Sequence, residues 1–509
     1  MTSAISTTPG PVRTYRASAG AGAPRLSGLR GIAEAVTDPS MVLEIVRYDT
    51  PDLRLAAAGI RLELVREPGA AQWRLHLPDG DNDDEVLRIP IAVPDVEGAD
   101  PDGPPDELDA LVRGVRRDRP LQPVGRVRTV RTPTRLVAPS GLRAVLVRDE
   151  ITVATLGSST TVDAWTEFEL RPPERGRALA DELERRLGEV GADVGEPAVT
   201  AVLDRLLTPR PRLRSPAGPK GSAGAVVLPY LGKQVDRIAA EDVRVRRDEP
   251  DAVHAMRVAS RRARSALQVY RPLFDAARSR ALAAELKHLG QALARARDAE
   301  VQRERMTSAL AALDPDLVLG PVLAQVTRHF AREEAEARAA VLSELDGERY
   351  AALRTALDDL LADPPLTSRA GRPARKELPA IASRRAARRL ERSVGALDRD
   401  PADDAAVHRV RKDAKRMRYA AEVAAPVVPT KPFVKGLKGL QKALGEFQDT
   451  VVARALLRDL GARTHAAGDN GFTFGVLYGR DAVTAELARE ALSDLWRRAW
   501  RPKPRRWLG

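Results

Sequence analysis

Apolar and polar positions along this chain follow two different periods. Up to about residue 171 the apolar positions alternate in short runs: 42–48 (VLEIVRY), 60–66 (IRLELVR), 72–77 (QWRLHL), 85–89 (EVLRI), 126–131 (RVRTVR), 143–148 (RAVLVR), 151–155 (ITVAT) and 165–170 (WTEFEL). Alternation puts one side of each run in a core, and turn formers such as Asp79-Gly80 and Pro139-Ser140-Gly141 separate the runs, so they predict strands. Helical spacing interrupts at Glu107 to Arg117 and again from roughly Arg177 to Leu207, with a break near Gly188–Pro197. Several strands closed by a terminal helix predict an antiparallel barrel or curled sheet.

The segment 208–224 (TPRPRLRSPAGPKGSAG) is rich in Pro, Gly, Ser and basic residues, cannot pack, and reads as a linker. Beyond it the period is helical to the end, with Ala, Leu, Arg and Glu dominant and breaks near 313–321, 362–373 and 424–432. The expected organisation is therefore a strand-rich domain over 1–207, the linker, and a helical domain over 225–505 with repeats at about 225–362 and 374–505. The tail from Arg497 to Arg506 is basic, is flanked by Trp496, Trp500 and Trp507, and is expected to be partly disordered.

Composition narrows the chemistry. The 509 residues include no cysteine, which excludes disulfides, thiolate metal sites and a cysteine nucleophile. No apolar run approaches a membrane span, and residues 1–33 lack an apolar signal core, so the expected location is cytoplasmic, with no membrane partner. The net charge of +12 hides an imbalance: residues 1–200 hold 25 Lys and Arg against 32 Asp and Glu, and residues 201–509 hold 58 against 39. A net of −7 beside a net of +19 points to a polyanion partner for the second half.

That half carries an internal duplication. His254-x-x-Arg257-x-x-x-Arg261-Arg262-x-Arg264 matches His408-x-x-Arg411-x-x-x-Lys415-Arg416-x-Arg418, with cations at +3, +7, +8 and +10 from each histidine. The next helix repeats as well: Leu286-Lys287, Leu289, Leu293 and Asp298 answer to Leu437-Lys438, Leu440, Leu444 and Asp449 at a separation of 151. At about 100° per residue the histidine and its four cations share one broad helix face, joined in the second copy by Lys412. Like charges at this density repel, and the faces carry almost no carboxylates to offset them. Arg384-Arg385-x-x-Arg388-Arg389-x-x-Arg392 makes two further basic stripes, which taken alone read as a solvated face. If the repeats pack with pseudo-two-fold symmetry, their faces line one channel suited to a long, densely charged ligand. The bland alternative for the paired histidines is a duplicated structural motif with each ring buried against its neighbouring helix. His76, His288, His329 and His465 carry no assignment.

These two helices resemble the signature helices of the CHAD family, the conserved-histidine α-helical domain, over roughly residues 225–505. The resemblance implies two pseudo-symmetric four-helix bundles forming a basic groove that binds inorganic polyphosphate, and association with polyphosphate granules. It also implies the ligand-facing residues: His254, Arg257, Arg261, Arg262, Arg264 and Lys287; His408, Arg411, Lys412, Lys415, Arg416, Arg418 and Lys438; and Arg384 and Arg388 from the preceding helix.

The first half resembles the CYTH, or triphosphate-tunnel, family over roughly residues 10–207, through Tyr48-Asp49-Thr50-Pro51-Asp52-Leu53-Arg54-Leu55, Trp73-Arg74-Leu75-His76-Leu77-Pro78 and Trp165-Thr166-Glu167-Phe168-Glu169-Leu170. Active members hydrolyse or cyclise triphosphates with carboxylates holding Mg²⁺ or Mn²⁺. Here the first-strand ExExK pattern is reduced to Val12-x-Thr14-x-Arg16, the Leu-Arg-x-Arg strand reads Leu62-Glu63-Leu64-Val65, and His76 stands where a lysine belongs. Arg126, Arg128 and Arg131 remain, as do Glu167 and Glu169, the weak metal candidates, which read better as solvated residues of an edge strand. No Walker A loop, His-Glu-x-x-His or nucleophile elbow occurs.

The expectation is an α+β multidomain chain, a degenerate antiparallel β-barrel-like domain followed by an all-α domain, that binds polyphosphate without catalysis or cofactor. Its rivals are a metal-dependent triphosphatase acting through Glu167 and Glu169, and generic nucleic-acid binding, which 4% aromatics serves poorly.

Overall fold

The alternating runs of the first two hundred residues pair into one antiparallel sheet. The computed structural model describes residues 12–78, 85–91, 100–139, 141–157, 159–171, 177–195, 199–208 and 218–508. The Asp79-Gly80 turn, Ser140 and residues 209–217 of the expected linker lie outside the described residues. Strands run β1 (Arg13–Ser18), β2 (Glu34–Thr37), β3 (Met41–Asp49), β4 (Arg61–Glu67), β5 (Ala70–Leu77), β6 (Glu85–Ile91), β7 (Gln122–Ala138), β8 (Gly141–Thr155), β9 (Val162–Arg171) and β10 (Asp193–Val194). Helices α1 (Arg54–Ala57) and α2 (Asp106–Arg116) lie between strands, and α3 (Arg177–Glu189) and α4 (Val199–Leu206) follow β9. The strand order is β10-β1-β9-β8-β7-β3-β4-β5-β6, with β2 beside β7.

Two expected strands, 143–148 and 151–155, are one. Asp149 does not turn the chain, because it lies opposite Arg131 on β7 and takes that guanidinium at 2.9 and 2.7 Å. Alternation sends Phe168, Leu170 and Leu146 to the face covered by Leu183 and Leu187 of α3. It sends Val127, Val153 and Trp165 to the face covered by Val202 and Leu203 of α4. The α4 contact is close at Gly125, where a Cβ would stand 2.7 Å from the Leu203 Cδ1 and push that side chain aside.

Charges on the α4 side are neutralised internally. Arg47 meets Glu63 at 2.8 Å and Asp204 of α4 at 2.8 Å, and His76 lies 3.3 Å from Glu63. Burial pushes the Glu63 carboxyl up, but His76 and Arg47 more than offset it and hold it below its ordinary value. Both partners of the Arg47–Glu63 pair are buried. Removing one side leaves an uncompensated charge, so Glu63→Ala is expected to cost the strand-rich unit about 3 kcal/mol. Its denaturant midpoint should fall while the helical unit's transition stays in place.

The chain divides into two compact units, Met1–Pro211 and Arg212–Gly509. The second consists of α5 (Ala223–Arg246), α6 (Ala252–Val269), α7 (Ala276–Ala311), α8 (Val322–Asp346), α9 (Glu348–Ala362), α10 (Ala374–Ala382), α11 (Arg388–Arg399), α12 (Asp404–Ala424), α13 (Lys431–Ala466), α14 (Phe472–Ala499) and α15 (Pro502–Arg505). One π turn, Ser383–Ala387, joins α10 to α11. Side-chain oxygens of Ser222, Asp275 and Asp403 cap the starts of α5, α7 and α12. None of these helices is long and apolar enough to cross a membrane.

The duplication is visible as two helical hairpins, α7–α8 and α13–α14, whose first helices are 36 residues each, or about 54 Å long. One core runs through both repeats, with Met256, Leu286 and Leu289 packed in the same cluster as Met417, Leu437 and Leu440. A smaller core joins the hairpin tips through Met306, Phe330, Leu460 and Phe474. The C-terminal tail departs from the expectation of disorder. Trp507 is buried with its ring 5.8 Å from Phe433, and Trp496 stacks on Trp500 at 4.5 Å.

Candidate anion-binding site

Helices α6 and α12 each turn an apolar stripe inward and leave the opposite side cationic. On α6 the buried positions are Ala252, Met256, Ala259, Ala263 and Ala266; on α12 they are Val407, Val410, Ala414, Met417 and Ala421. The i, i+3, i+4 spacing that buries these residues holds the histidine-headed arrays on the other face. Alanines at the contact let the two helices pack directly, bringing the arrays together.

Arg257 and Arg261 from one repeat and Arg411 and Lys415 from the other share a common electrostatic environment with Asp298 and Asp449. Arg257 pairs with Asp298 at 2.9 Å, and Arg261 donates to the Tyr419 hydroxyl at 3.1 Å. Arg411 lies against Gly445 of α13, with its Nη2 3.8 Å from where a Cβ would stand. Burial is the main force lowering the Arg411 guanidinium, with Asp449 partly offsetting it and Arg261 and Arg257 adding to it. Lys415 is the most perturbed cation. Burial, followed by Arg411, Arg261, Arg257 and Arg418, pushes its ammonium down to about 7. The Asp449 carboxyl is raised by its own burial. The centre thus holds four half-buried cations against two carboxylates, an arrangement that a bound anion relieves.

The histidines flank this centre in non-identical ways. His408 Nδ1 lies 2.7 Å from the Gln448 Oε1, so it carries the proton and leaves Nε2 as an acceptor. The counterpart of Gln448, at the separation of 151, is Arg297, whose charge together with burial lowers the His254 ring. Burial and then the cations Lys412, Arg411 and Lys415 lower the His408 ring, against the pull of Gln448. Both rings are therefore held toward the neutral form.

The remaining sequence candidates divide. Arg262 and Arg418 gather at Glu422, at 3.4 and 3.6 Å. Arg416 joins Arg389 on the buried Asp413, at 2.8 and 2.7 Å, and Lys287 lies beside them on the wall of a cavity. Arg264 is half-buried and lowered by desolvation. Lys412, Lys438, Arg384 and Arg388 are exposed and outside the central cluster. Sequence reasoning missed Tyr419, Arg297 and Gln448 as neighbours of the array. Arg297 and Gln448 were detectable as the position just before the matched Asp298 and Asp449. Arg271 and Arg280, on the wall of the same cavity as Lys287, carried no such signal.

In the strand-rich unit Glu167 and Glu169 are not on an edge. β9 lies between β1 and β8, and the cross-strand row is Arg16, Glu167, Asp149 and Arg131. Glu167 is buried and accepts from the Trp165 indole at 2.7 Å, while Glu169 is taken by Arg171 at 2.6 Å. Opposite them on β1 stand Arg16 and Thr14, so a divalent cation would meet a guanidinium where further oxygen ligands are needed. This residue set does not fit a catalytic metal. Arg126 is likewise held by Glu44 at 3.2 Å and by Asp100. The Tyr48–Leu55 motif is structural: the Asp49 carboxylate accepts from the backbone of Thr50, Leu55 and Ala56 at 2.6–2.9 Å, and the Tyr48 ring packs 4.7 Å from Trp73.

The helical unit is built from two repeats, with two histidine-headed cationic arrays meeting across its middle. The family model described as CHAD domain matches residues 229–458, so the helical unit carries a CHAD domain. Similarity to the uncharacterized protein Rv2226 of Mycobacterium tuberculosis (strain ATCC 25618 / H37Rv) extends over both halves, at 32% identity across 93% of this chain and 93% of that protein. Among solved structures, PptA from Streptomyces chartreusis is 24% identical with a TM-score of 0.47, covering 54% of this chain and 99% of its own. The Hippeastrum protein HpAC1, described as a putative adenylyl cyclase with a dominant triphosphatase activity, is 14% identical with a TM-score of 0.21, covering 39% and 99%.

Proposed function

We propose that the helical unit binds inorganic polyphosphate along the paired cationic arrays, and that the strand-rich unit is a catalytically inactive CYTH-like domain. The observation that carries this reading is the meeting of Arg257, Arg261, Arg411 and Lys415 around Asp298 and Asp449, with Lys415 held down to about 7. Cations kept in such repulsion stabilise a state with anions between them. Rigid helices space them for a repeating charge instead of a single ion. Localisation at polyphosphate granules belongs to the same reading.

Titration of the full chain with polyphosphate of defined length across a salt series tests it, with duplex DNA as competitor at matched phosphate. Affinity should fall steeply with salt through counterion release, and DNA should compete poorly. Equal competition by DNA would reduce the arrays to a generic polyanion surface. In the same samples, Mg²⁺ or Mn²⁺ should release no phosphate from tripolyphosphate or ATP above background. Metal-dependent release that disappears in Glu167→Gln/Glu169→Gln would restore the triphosphatase reading.

A further inference from the structure

The two arrays share their histidine and cation positions, but fourteen positions past each histidine Gln268 answers to Glu422. The two ends of the site differ accordingly. At the Glu422 end the carboxylate takes both Arg262 and Arg418, and those guanidinium groups lie 5.7 and 4.8 Å from the Tyr419 ring centre. Tyr230 closes in beside them, its phenol raised by burial and then by the Glu422 charge. This end holds a carboxylate between its two guanidinium groups and is packed by two tyrosine rings.

At the other end Arg416 meets the Gln268 amide oxygen, at 3.3 Å, where the first end has the Glu422 carboxylate, and a cavity of about 480 Å³ opens. Its walls carry six cations, Arg271, Arg280, Lys287, Arg385, Arg389 and Arg416. Asp413 pairs with Arg389 and Arg416. Among the described residues, Arg271, Arg280, Lys287 and Arg385 have no carboxylate within ion-pair distance. Arg385 is half-buried with its Nε unpartnered, and burial and Arg271 both lower its guanidinium. Arg271, seventeen positions past His254, answers to Ala425 in the other repeat, so this cation is not duplicated there.

We infer that the site is one-ended: a polyphosphate chain runs from the central cluster into this cavity, and Glu422 stops it at the other end. The inference rests on the polyphosphate reading above. The cavity is a second subsite for chain phosphates, at the C-terminal end of α6 and about 12 Å along it from Arg261 to Val269, and Glu422 sets the direction in which the ligand leaves the centre. Charge alone decides this, since repulsion by an anionic side chain and four unpaired cations act on the same polyanion at opposite ends.

Two variants of the full chain test it with medium-length polyphosphate over a salt series. Arg271→Gln/Arg280→Gln/Arg385→Gln should bind tenfold or more weakly, with the salt slope reduced by about 2, from roughly 0.7 per lost phosphate contact. Glu422→Gln should bind about tenfold more tightly and with a steeper slope, because Arg262 and Arg418 are released to the ligand. That gain cannot arise from misfolding. An unchanged triple variant, or a Glu422→Gln that binds no better than the parent, overturns the one-ended path while central binding stands. A parent protein that does not bind polyphosphate overturns both.

Discussion

Replacing Arg257, Arg261, Arg411 and Lys415 together with alanine is expected to weaken polyphosphate binding by more than about 1,000-fold. Each charge-assisted hydrogen bond contributes about 1.5–3 kcal/mol, so even strongly non-additive losses from four exceed that factor. The four come from two helices packed across the repeat boundary, so the loss removes the shared centre of the site and not one of its ends. The salt dependence should flatten by about 3, at roughly 0.7 per cation. The helical unit should remain folded, because the apolar faces of α6 and α12 are untouched and four mutually repelling groups are gone. Circular dichroism and a melting curve establish folding; isothermal titration reads binding. A folded quadruple variant that still binds tightly would dispose of the proposed centre.

The second large effect is on pH. In the free protein Lys415 is held down to about 7, chiefly by burial and then by Arg411, Arg261, Arg257 and Arg418. A bound polyanion favours the charged ammonium and raises it again. Between the two values the complex holds one proton more than the free protein, so affinity should fall as pH rises above about 7, by up to tenfold per unit. Folding of the free protein has the opposite sign. The unfolded lysine, near 10.4, keeps its proton where the folded one has lost it, so the unliganded unit gains stability from about pH 7 upward. His254 and His408 are also lowered, so their protonation should add a further rise in affinity at lower pH. Calorimetry in buffers of different ionisation enthalpy should register close to one proton taken up near pH 8.5. Lys415→Arg should bind with little pH dependence above 7, since a guanidinium keeps its charge there. Equal pH profiles for the parent and Lys415→Arg would remove Lys415 from the binding site.

Much of the fold and the site was legible because it depends on short-range spacing. The strands at 42–48, 60–66 and 72–77 follow from alternation, and each forms within a residue or two of its expected bounds. The arrays headed by His254 and His408 share a face because a helix repeats every 3.6 residues, whatever surrounds it. Other features escaped for reasons that are equally physical. Asp149-Glu150 has the composition of a turn, yet remains extended because Arg131 on the neighbouring strand takes Asp149. Glu167 has an edge residue's chemistry but an interior position, since its burial depends on β1 pairing outside it. The basic tail has a disordered segment's composition until Trp507 reaches Phe433.

By itself the sequence determined that there are two repeats and that each presents a histidine and four cations on one helix face. These are properties of residue type and period. Only the tertiary structure decided which cations meet, which are cancelled and which remain available. Arg47 and Arg126 are spent on internal carboxylates, Lys415 is driven toward neutrality, and Arg271 and Arg280 meet Arg385, distant in the chain, at one cavity. The electrostatic state of a charged group depends on its burial and on every charge within a few ångströms, and neither is encoded in the spacing along a single helix.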